Sequence, residues 1–215
     1  MIAGVDEAGR GPVLGNLVIC GALLEKRTIG ELKAAGVRDS KLLSPKKREM
    51  LAKLIAEKAV KLEIVELSPA EIDELRLIKK INLNEIEAMR MAQILERLRP
   101  KLAYVDSTDP DPKMFERRIQ RHMRSRVELV VESYADRKYV IVGAASIIAK
   151  VRRDKGIAEL QRRYGDLGSG YSSDPRTIAF LERWVRKHGS LPEFARKSWE
   201  TARRIESQAK QRKLV

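Results

Sequence analysis

Hydrophobic positions along this chain follow two rhythms, and the alternation between them predicts the elements. Residues 2–5 are a short apolar run of strand length that stops in two carboxylates, Asp6 and Glu7. Residues 17–24 (Leu-Val-Ile-Cys-Gly-Ala-Leu-Leu) are apolar without interruption, as expected of a buried strand. Residues 62–67 read as a third strand, with Leu62 and Ile64 alternating against Glu63, and residues 102–105 and 127–131 as the fourth and fifth. Helical spacing fills the intervals. Ser44-Pro45 supplies a cap and a first-turn proline ahead of Met50, Leu51, Leu54 and Ile55. Ser68-Pro69-Ala70-Glu71 has the form of a capping box. Asn82-Leu83-Asn84-Glu85 has the same form and opens a longer helix, faced by Ala88, Met91, Leu95 and Leu98 and closed by Pro100. Asp111-Pro112 starts a helix carrying Phe115, Ile119 and Met123 four apart.

A further helix, over about 143–164, begins so apolar that its first turns must be buried. Residues 25–41 read as basic and irregular. The segment Gly168-Ser169-Gly170-Tyr171-Ser172-Ser173-Asp174-Pro175 reads as a linker. Two basic amphipathic helices follow it, one marked by Ile178, Leu181, Trp184 and Val185 and one over about 194–207. Strands interleaved with helices predict an α/β domain over residues 1–167, a five-stranded sheet with helices on both faces. A small C-terminal helical lobe over 168–215 completes the expectation.

Charge then narrows the partner. The 215 residues carry a net charge of +14, with a pI near 10.0, so the expected partner is an anion, nucleic acid before any other. No apolar run approaches the ~20 residues of a spanning helix, and the first strand begins at residue 2, which predicts a cytoplasmic protein with no membrane association. Cys20 is the single cysteine, which excludes an internal disulfide and a thiolate metal cluster.

The chemistry lies at the strand ends. In α/β proteins, functional groups sit where strands finish at their carboxyl side, and both the first and the fourth strand finish in aspartate, Asp6 and Asp106. Parallel and adjacent, the two strands would bring these carboxylates together, with Asp136, just past the fifth strand, able to join them. Clustered carboxylates are costly unless a cation occupies them, and a hard divalent ion suits oxygen ligands. Paired ions of that kind clamp the attacking and leaving oxygens of a phosphoryl displacement. Glu7 shares the site only if the strand bends, because adjacent strand residues face opposite ways. Gly9-Arg10-Gly11 makes that bend plausible and lets backbone approach a ligand. His122 and His188 read as solvated surface without matched partners, Asp109 and Asp111 as a turn and an N-cap. Lys150, Arg152 and Arg153 read as a solvated basic face that attracts phosphate. No P-loop pattern is present. The residues by themselves suit a metal-dependent nuclease or phosphotransferase.

Six motifs then occur in one order: Gly4-Val5-Asp6-Glu7-Ala8-Gly9-Arg10-Gly11-Pro12, Asp39-Ser40-Lys41, Tyr104-Val105-Asp106-Ser107, Ala135-Asp136, Ala144-Ala145-Ser146-Ile147-Ile148-Ala149-Lys150-Val151 and Gly168-Ser169-Gly170-Tyr171-Ser172-Ser173-Asp174-Pro175-Arg176-Thr177. Together they closely resemble the signature of type 2 ribonuclease H (ribonuclease HII) in its archaeal form, from residue 2 to about 200. The resemblance implies a ribonuclease H-like fold with a mixed sheet. It also implies a monomeric endonuclease, dependent on Mg²⁺ or Mn²⁺, that cuts the RNA strand of RNA/DNA hybrids. Such an enzyme also cuts 5′ of single ribonucleotides in duplex DNA, leaving 3′-hydroxyl and 5′-phosphate ends. By position, it makes Asp6, Glu7, Asp106 and Asp136 the catalytic, metal-binding carboxylates. Gly9, Arg10 and Gly11 would read the ribose 2′-hydroxyl, Tyr171 would pack on the neighbouring deoxyribose, and Lys41 would hold a backbone phosphate.

The chain departs from the family pattern in three places. Ser133-Tyr134 stand where His-Lys is usual, Asn16 replaces a proline, and the tail from Gln208 to Val215 lacks the aromatics of a sliding-clamp motif, so clamp binding is not expected. A hybrid-binding protein without catalysis, and a phosphotransferase or exonuclease on the same fold, are the rival readings.

Overall fold

The computed structural model describes residues 1–37, 40 and 43–211; Asp39, Lys41 and the last four residues of the tail lie outside the described residues. Five strands form one mixed sheet in the order β3-β2-β1-β4-β5, where β1 is Ile2–Ala8, β2 Leu17–Leu24, β3 Lys61–Leu67, β4 Leu102–Asp106 and β5 Glu128–Glu132. β1 runs antiparallel to β2 and parallel to β4, and β4 runs parallel to β5. The helices in chain order are α1 (Lys26–Ala34), α2 (Pro45–Lys58), α3 (Pro69–Asp73), α4 (Leu83–Leu98), α5 (Pro112–His122), α6 (Ala135–Lys138), α7 (Val140–Tyr164), α8 (Pro175–His188) and α9 (Glu200–Gln211). A π-helical turn, Glu74–Ile78, continues α3. Among the described residues no helix is long and apolar enough to cross a membrane.

The chain divides into two compact units, the first comprising Met1–Ala8, Val18–Glu66 and Asn82–Arg152, the second Gly9–Leu17, Leu67–Ile81 and the chain from Arg153 onward. In the first, Val18, Cys20, Ala22 and Leu24 of β2 pack with α1, α2 and the start of α7. Gly21 turns to the other face, where a Cβ would stand 2.3 Å from Ile94 of α4. Helices therefore cover both faces, which is why β2 is apolar throughout. The second unit has its own core of Leu14, Ile157, Phe180, Leu181, Val185 and Phe194.

The caps behave as their sequences predict. Ser44 accepts from the Lys47 amide, Ser68 and Glu71 close a reciprocal capping box, and Asp111 accepts from the Lys113 amide. Three elements differ from expectation. The stretch read as irregular contains α1, formed because Leu32 and Thr28 find burial in tertiary contact. In β3 Ile64 is exposed, while Glu63 is held by Lys61 at 2.9 Å and Arg97 at 3.5 Å, a charged edge strand. The last helix begins at Glu200 because the residues before it form turns about an isolated bridge: Leu14 bridges Ala195, the Arg196 amide donates to Val13 O, and the Trp199 amide donates to Arg196 O.

Gly4 marks the tightest approach in the first unit. A Cβ there would lie 2.2 Å from the carbonyl oxygen of Ile141, so α7 rests directly on the backbone of β1. Gly4→Ala should therefore destabilise the protein by about 2–3 kcal/mol through overpacking. Thermal unfolding followed by circular dichroism should show a midpoint lower by roughly 5–10 °C.

Candidate active site

Val5 of β1 lies opposite Val105 of β4, and the next residue on each of these parallel strands is an aspartate. Asp6 and Asp106 thus leave adjacent strands at the same end of the sheet. The third carboxylate arrives from β5. Tyr134 turns the chain in the left-handed region (φ 59°), and the Ala135 amide donates to Asp106 Oδ1 at 2.5 Å, drawing Asp136 in beside it. Asp6 and Asp136 are each only 4% exposed. Burial, reinforced by the charge of Asp106 and then of Asp136, pushes the Asp6 carboxyl up to about 8, against hydrogen bonds from Ser146 and the Glu7 amide that pull it down. Buried carboxylates that repel one another in this way fit a hard divalent cation. Among the described residues no group of three or more His, Cys, Asp or Glu side chains is placed so that it could by itself hold a metal ion. Mg²⁺ requires no such group, since it takes one or two carboxylates with waters and substrate oxygens.

Glu7 joins the group through its backbone, donating to Asp6 Oδ1 at 2.7 Å. β1 keeps its ladder through both acids, Asp6 opposite Cys20 and Glu7 opposite Ile19, so the bend expected between them is absent and Glu7 meets Asp6 through its amide. Cys20 is buried, and its thiol is pushed well above its ordinary range by that burial and then by Asp6. It is an inert core residue.

Ser146 reaches Asp6 because of where α7 starts. From Gly4 to Asp6 a strand advances about 6.6 Å, and from Ile141 to Ser146 a helix advances about 7.5 Å. A helix seated on Gly4 at Ile141 therefore brings Ser146 level with Asp6. Ser146 Oγ also lies 3.0 Å from Ser40 Oγ, and the Ser40 carbonyl accepts from Arg48 Nη1 at 3.0 Å. Ser40, read from sequence within a motif, is thus a buried support for Ser146.

The second unit, taken by itself, holds the glycine turn and Tyr171. Gly9 has φ +86°, and a Cβ there would come within 2.7 Å of Asn16 O, so only glycine fits. The carbonyls of Gly9, Arg10 and Gly15 all accept from the fully buried guanidinium of Arg196, at 2.6, 3.0 and 3.0 Å. The Gly11 carbonyl accepts from Trp199 Nε1 at 3.0 Å. Tyr171 stands over Gly11, where a Cβ would be 3.6 Å from its ring, and Arg153 lies 5.1 Å from the ring centroid. The loop bearing Tyr171 is tied to the start of α8. Asp174 accepts from the Ser169 amide at 2.7 Å, and Thr177 Oγ1 accepts from the Gly170 amide at 3.0 Å.

These features can be set beside known proteins. The family model described as Ribonuclease HII matches residues 3–202. The chain belongs to the ribonuclease HII family. Ribonuclease HII of Thermofilum pendens is 44% identical, over 95% of this chain and 98% of its own. The solved ribonuclease H2 of Pyrococcus horikoshii is 43% identical and superposes with a TM-score of 0.91, over 98% of this chain and 99% of that one. A solved PCNA:RNase HII complex from Archaeoglobus fulgidus shows 40% identity and a TM-score of 0.86, over 95% and 96%. The protein is an enzyme, a ribonuclease H endonuclease acting on RNA/DNA substrates, on the ribonuclease H-like α/β fold.

For a ribonuclease HII, the structure brings together Asp6, Asp106 and Asp136, with Glu7 attached through its amide. It places Gly9, Arg10, Gly11 and Tyr171 in one interlocked set of loops. Lys41 lies outside the described residues. Two readings from sequence are corrected. Arg153 is no solvated face: it is buried, donating to Ser169 O at 2.6 Å, because the Tyr171 loop folds over it. His122 and His188 do have partners, Glu85 Oε1 at 2.7 Å and Trp184 O at 3.0 Å. Asp109 and Asp111 are turn and cap residues, as read. Sequence reasoning missed Ser146, whose motif was visible but not its partner. It also missed Arg196 and Trp199, which carried no signal: one buried arginine looks like any other in a chain so basic.

Because the folded Asp6 carboxyl titrates above its unfolded value of 3.8, the native state holds this proton more tightly than the unfolded chain. Asp6 thus costs stability increasingly as pH rises from about 4 to about 8. In EDTA, Asp6→Asn should raise the unfolding midpoint, and the gain over wild type should grow across that range. A gain independent of pH would contradict the electrostatic picture.

Proposed function

We propose that this ribonuclease H uses Asp6, Asp106 and Asp136 to hold divalent metal, Mg²⁺ or Mn²⁺, with Glu7 added to them on its place in the family motif alone, and that it cuts duplex DNA 5′ of a single embedded ribonucleotide as well as continuous RNA/DNA hybrids. The observation that carries the metal assignment is the convergence of Asp6, Asp106 and Asp136 at one end of the sheet, with the Asp6 carboxyl raised to about 8. When bound, a divalent cation would neutralise these charges and act as a Lewis acid toward the scissile phosphate. The chain's own residues do the rest. Ser146 and the Glu7 amide fix the Asp6 carboxylate by hydrogen bonds, and the Ala135 amide fixes that of Asp106.

Specificity for the ribonucleotide rests, in this reading, on backbone. The 2′-hydroxyl alone marks ribose at a junction, and amides of a glycine turn can come close enough to bond it. Arg10, between the two glycines, adds a cation for phosphate. Tyr171, stacked over Gly11, offers a flat apolar face that suits a sugar lacking its hydroxyl, so it would favour deoxyribose on the 3′ side. A net charge of +14 supplies the non-specific attraction to the duplex. Lys41 would hold a phosphate.

A DNA duplex carrying one ribonucleotide, incubated with Mg²⁺, should be cut once, 5′ of that nucleotide, and EDTA should abolish the cut. Cleavage of a continuous hybrid alone would remove the junction-reading role. Asp6→Asn and Asp106→Asn should each lower kcat by about 10²- to 10³-fold, in the range of lost electrostatic catalysis, while gel-shift affinity for the hybrid holds or improves. Tyr171→Ala should reduce kcat/KM on the single-ribonucleotide duplex several-fold more than on the hybrid, and equal losses would refute its role.

A further inference from the structure

We propose that Arg196 is a positioning residue for ribonucleotide recognition: its guanidinium gathers the carbonyls of the Gly9–Arg10–Gly11 turn on one side so that the turn's amides are presented on the other. The inference rests on the reading of that turn given above. Arg196 is 0% exposed, and a buried guanidinium is tolerated only where its donors are met. It meets them with main chain, donating to Gly9 O, Arg10 O and Gly15 O across more than 180 residues of sequence. Trp199 adds a fourth such bond, to Gly11 O.

Peptide geometry turns this into function. Among the described residues every peptide bond is trans, and in a trans peptide the N–H points opposite to the C=O. With the Gly9 and Arg10 carbonyls aimed at Arg196, the N–H groups of Arg10 and Gly11, which share those peptide planes, point away from it. Pro12, in the plane of the Gly11 carbonyl, has no N–H to present. Both N–H groups are thereby turned to the side opposite Arg196. A cation bonded to a carbonyl also polarises the same peptide and strengthens its N–H as a donor.

The support is itself anchored. Trp199 lies between two guanidinium groups, with Arg196 and Arg76 each 4.8 Å from the ring centroid. The Asp73 carboxylate accepts from the amides of Lys197 at 2.7 Å and Ser198 at 2.9 Å. Lysine could not take the place of Arg196, because one ammonium cannot serve three carbonyls in fixed fork geometry.

The test is binding, without turnover. In EDTA, fluorescence anisotropy compares a DNA duplex containing one ribonucleotide with the same duplex entirely of DNA. Wild type should prefer the former. Arg196→Lys should reduce that preference about tenfold, the equivalent of one or two hydrogen bonds, with affinity for the all-DNA duplex unchanged and the circular dichroism spectrum intact. A folded Arg196→Lys protein that keeps the wild-type preference overturns the proposal. Should Arg196→Lys fail to fold, Trp199→Phe decides. It removes one carbonyl bond and keeps the ring, so a reduced preference upholds the proposal and an unchanged one sinks it. A wild-type protein with no preference overturns the reading of the turn itself, and this inference with it.

Discussion

A helix lies on a strand here with no side chain between them, and the acidic end of the sheet depends on that approach. Gly4 removes the Cβ that would collide with the Ile141 carbonyl. The apolar first turns of α7 can then bury against β1 and β2. The consequence appears two residues along the strand, where Ser146 meets Asp6. Without the close approach, a hydroxyl held level with that carboxylate would have to come from another element. Packing at an apolar point thus determines chemistry at a charged one.

The charged point has its own cost. Asp6, Asp106 and Asp136 are gathered by parallel strand pairing and by one amide bond, and the first of them is held partly protonated near neutral pH as a result. Such a group is destabilising in the metal-free fold and becomes favourable when a cation enters. A strained residue stands next to it, Tyr134 at φ 59°. The turn that sets Asp136 is therefore made by a non-glycine residue in the left-handed region, a conformation maintained by its surroundings. In the second unit the same economy is carried by hydrogen bonds. Loops that would be mobile by composition are tied by a buried arginine, an indole, and the side chains of Asp174 and Thr177.

Much of this was visible before any fold was known. The five strands, the caps at Ser44, Ser68 and Asp111, the acid stops at Asp6 and Asp106 and the ordered motifs are all local patterns. Local patterns are set by backbone and side-chain preferences within a few residues. The errors have a common cause as well. Residues 26–34 were read as irregular because their helix is stabilised by burying Leu32, which no local cap announces. Arg153 was read as surface because its burial is made by a loop folding over it. Ile64 and Glu63 exchanged their expected environments because β3 is an edge, a property of sheet order.

By itself, then, the sequence determined the elements, the basic surface and the family, since periodicity, charge and motif order are properties of the chain alone. Tertiary structure decided which strands are neighbours, which carboxylates converge, and that a single arginine near the C-terminus orients a turn near the N-terminus. Arg196 and Gly9 are separated by 187 residues. Contacts at that separation are selected by the packing of the whole unit, and nothing in the residues around either partner records them.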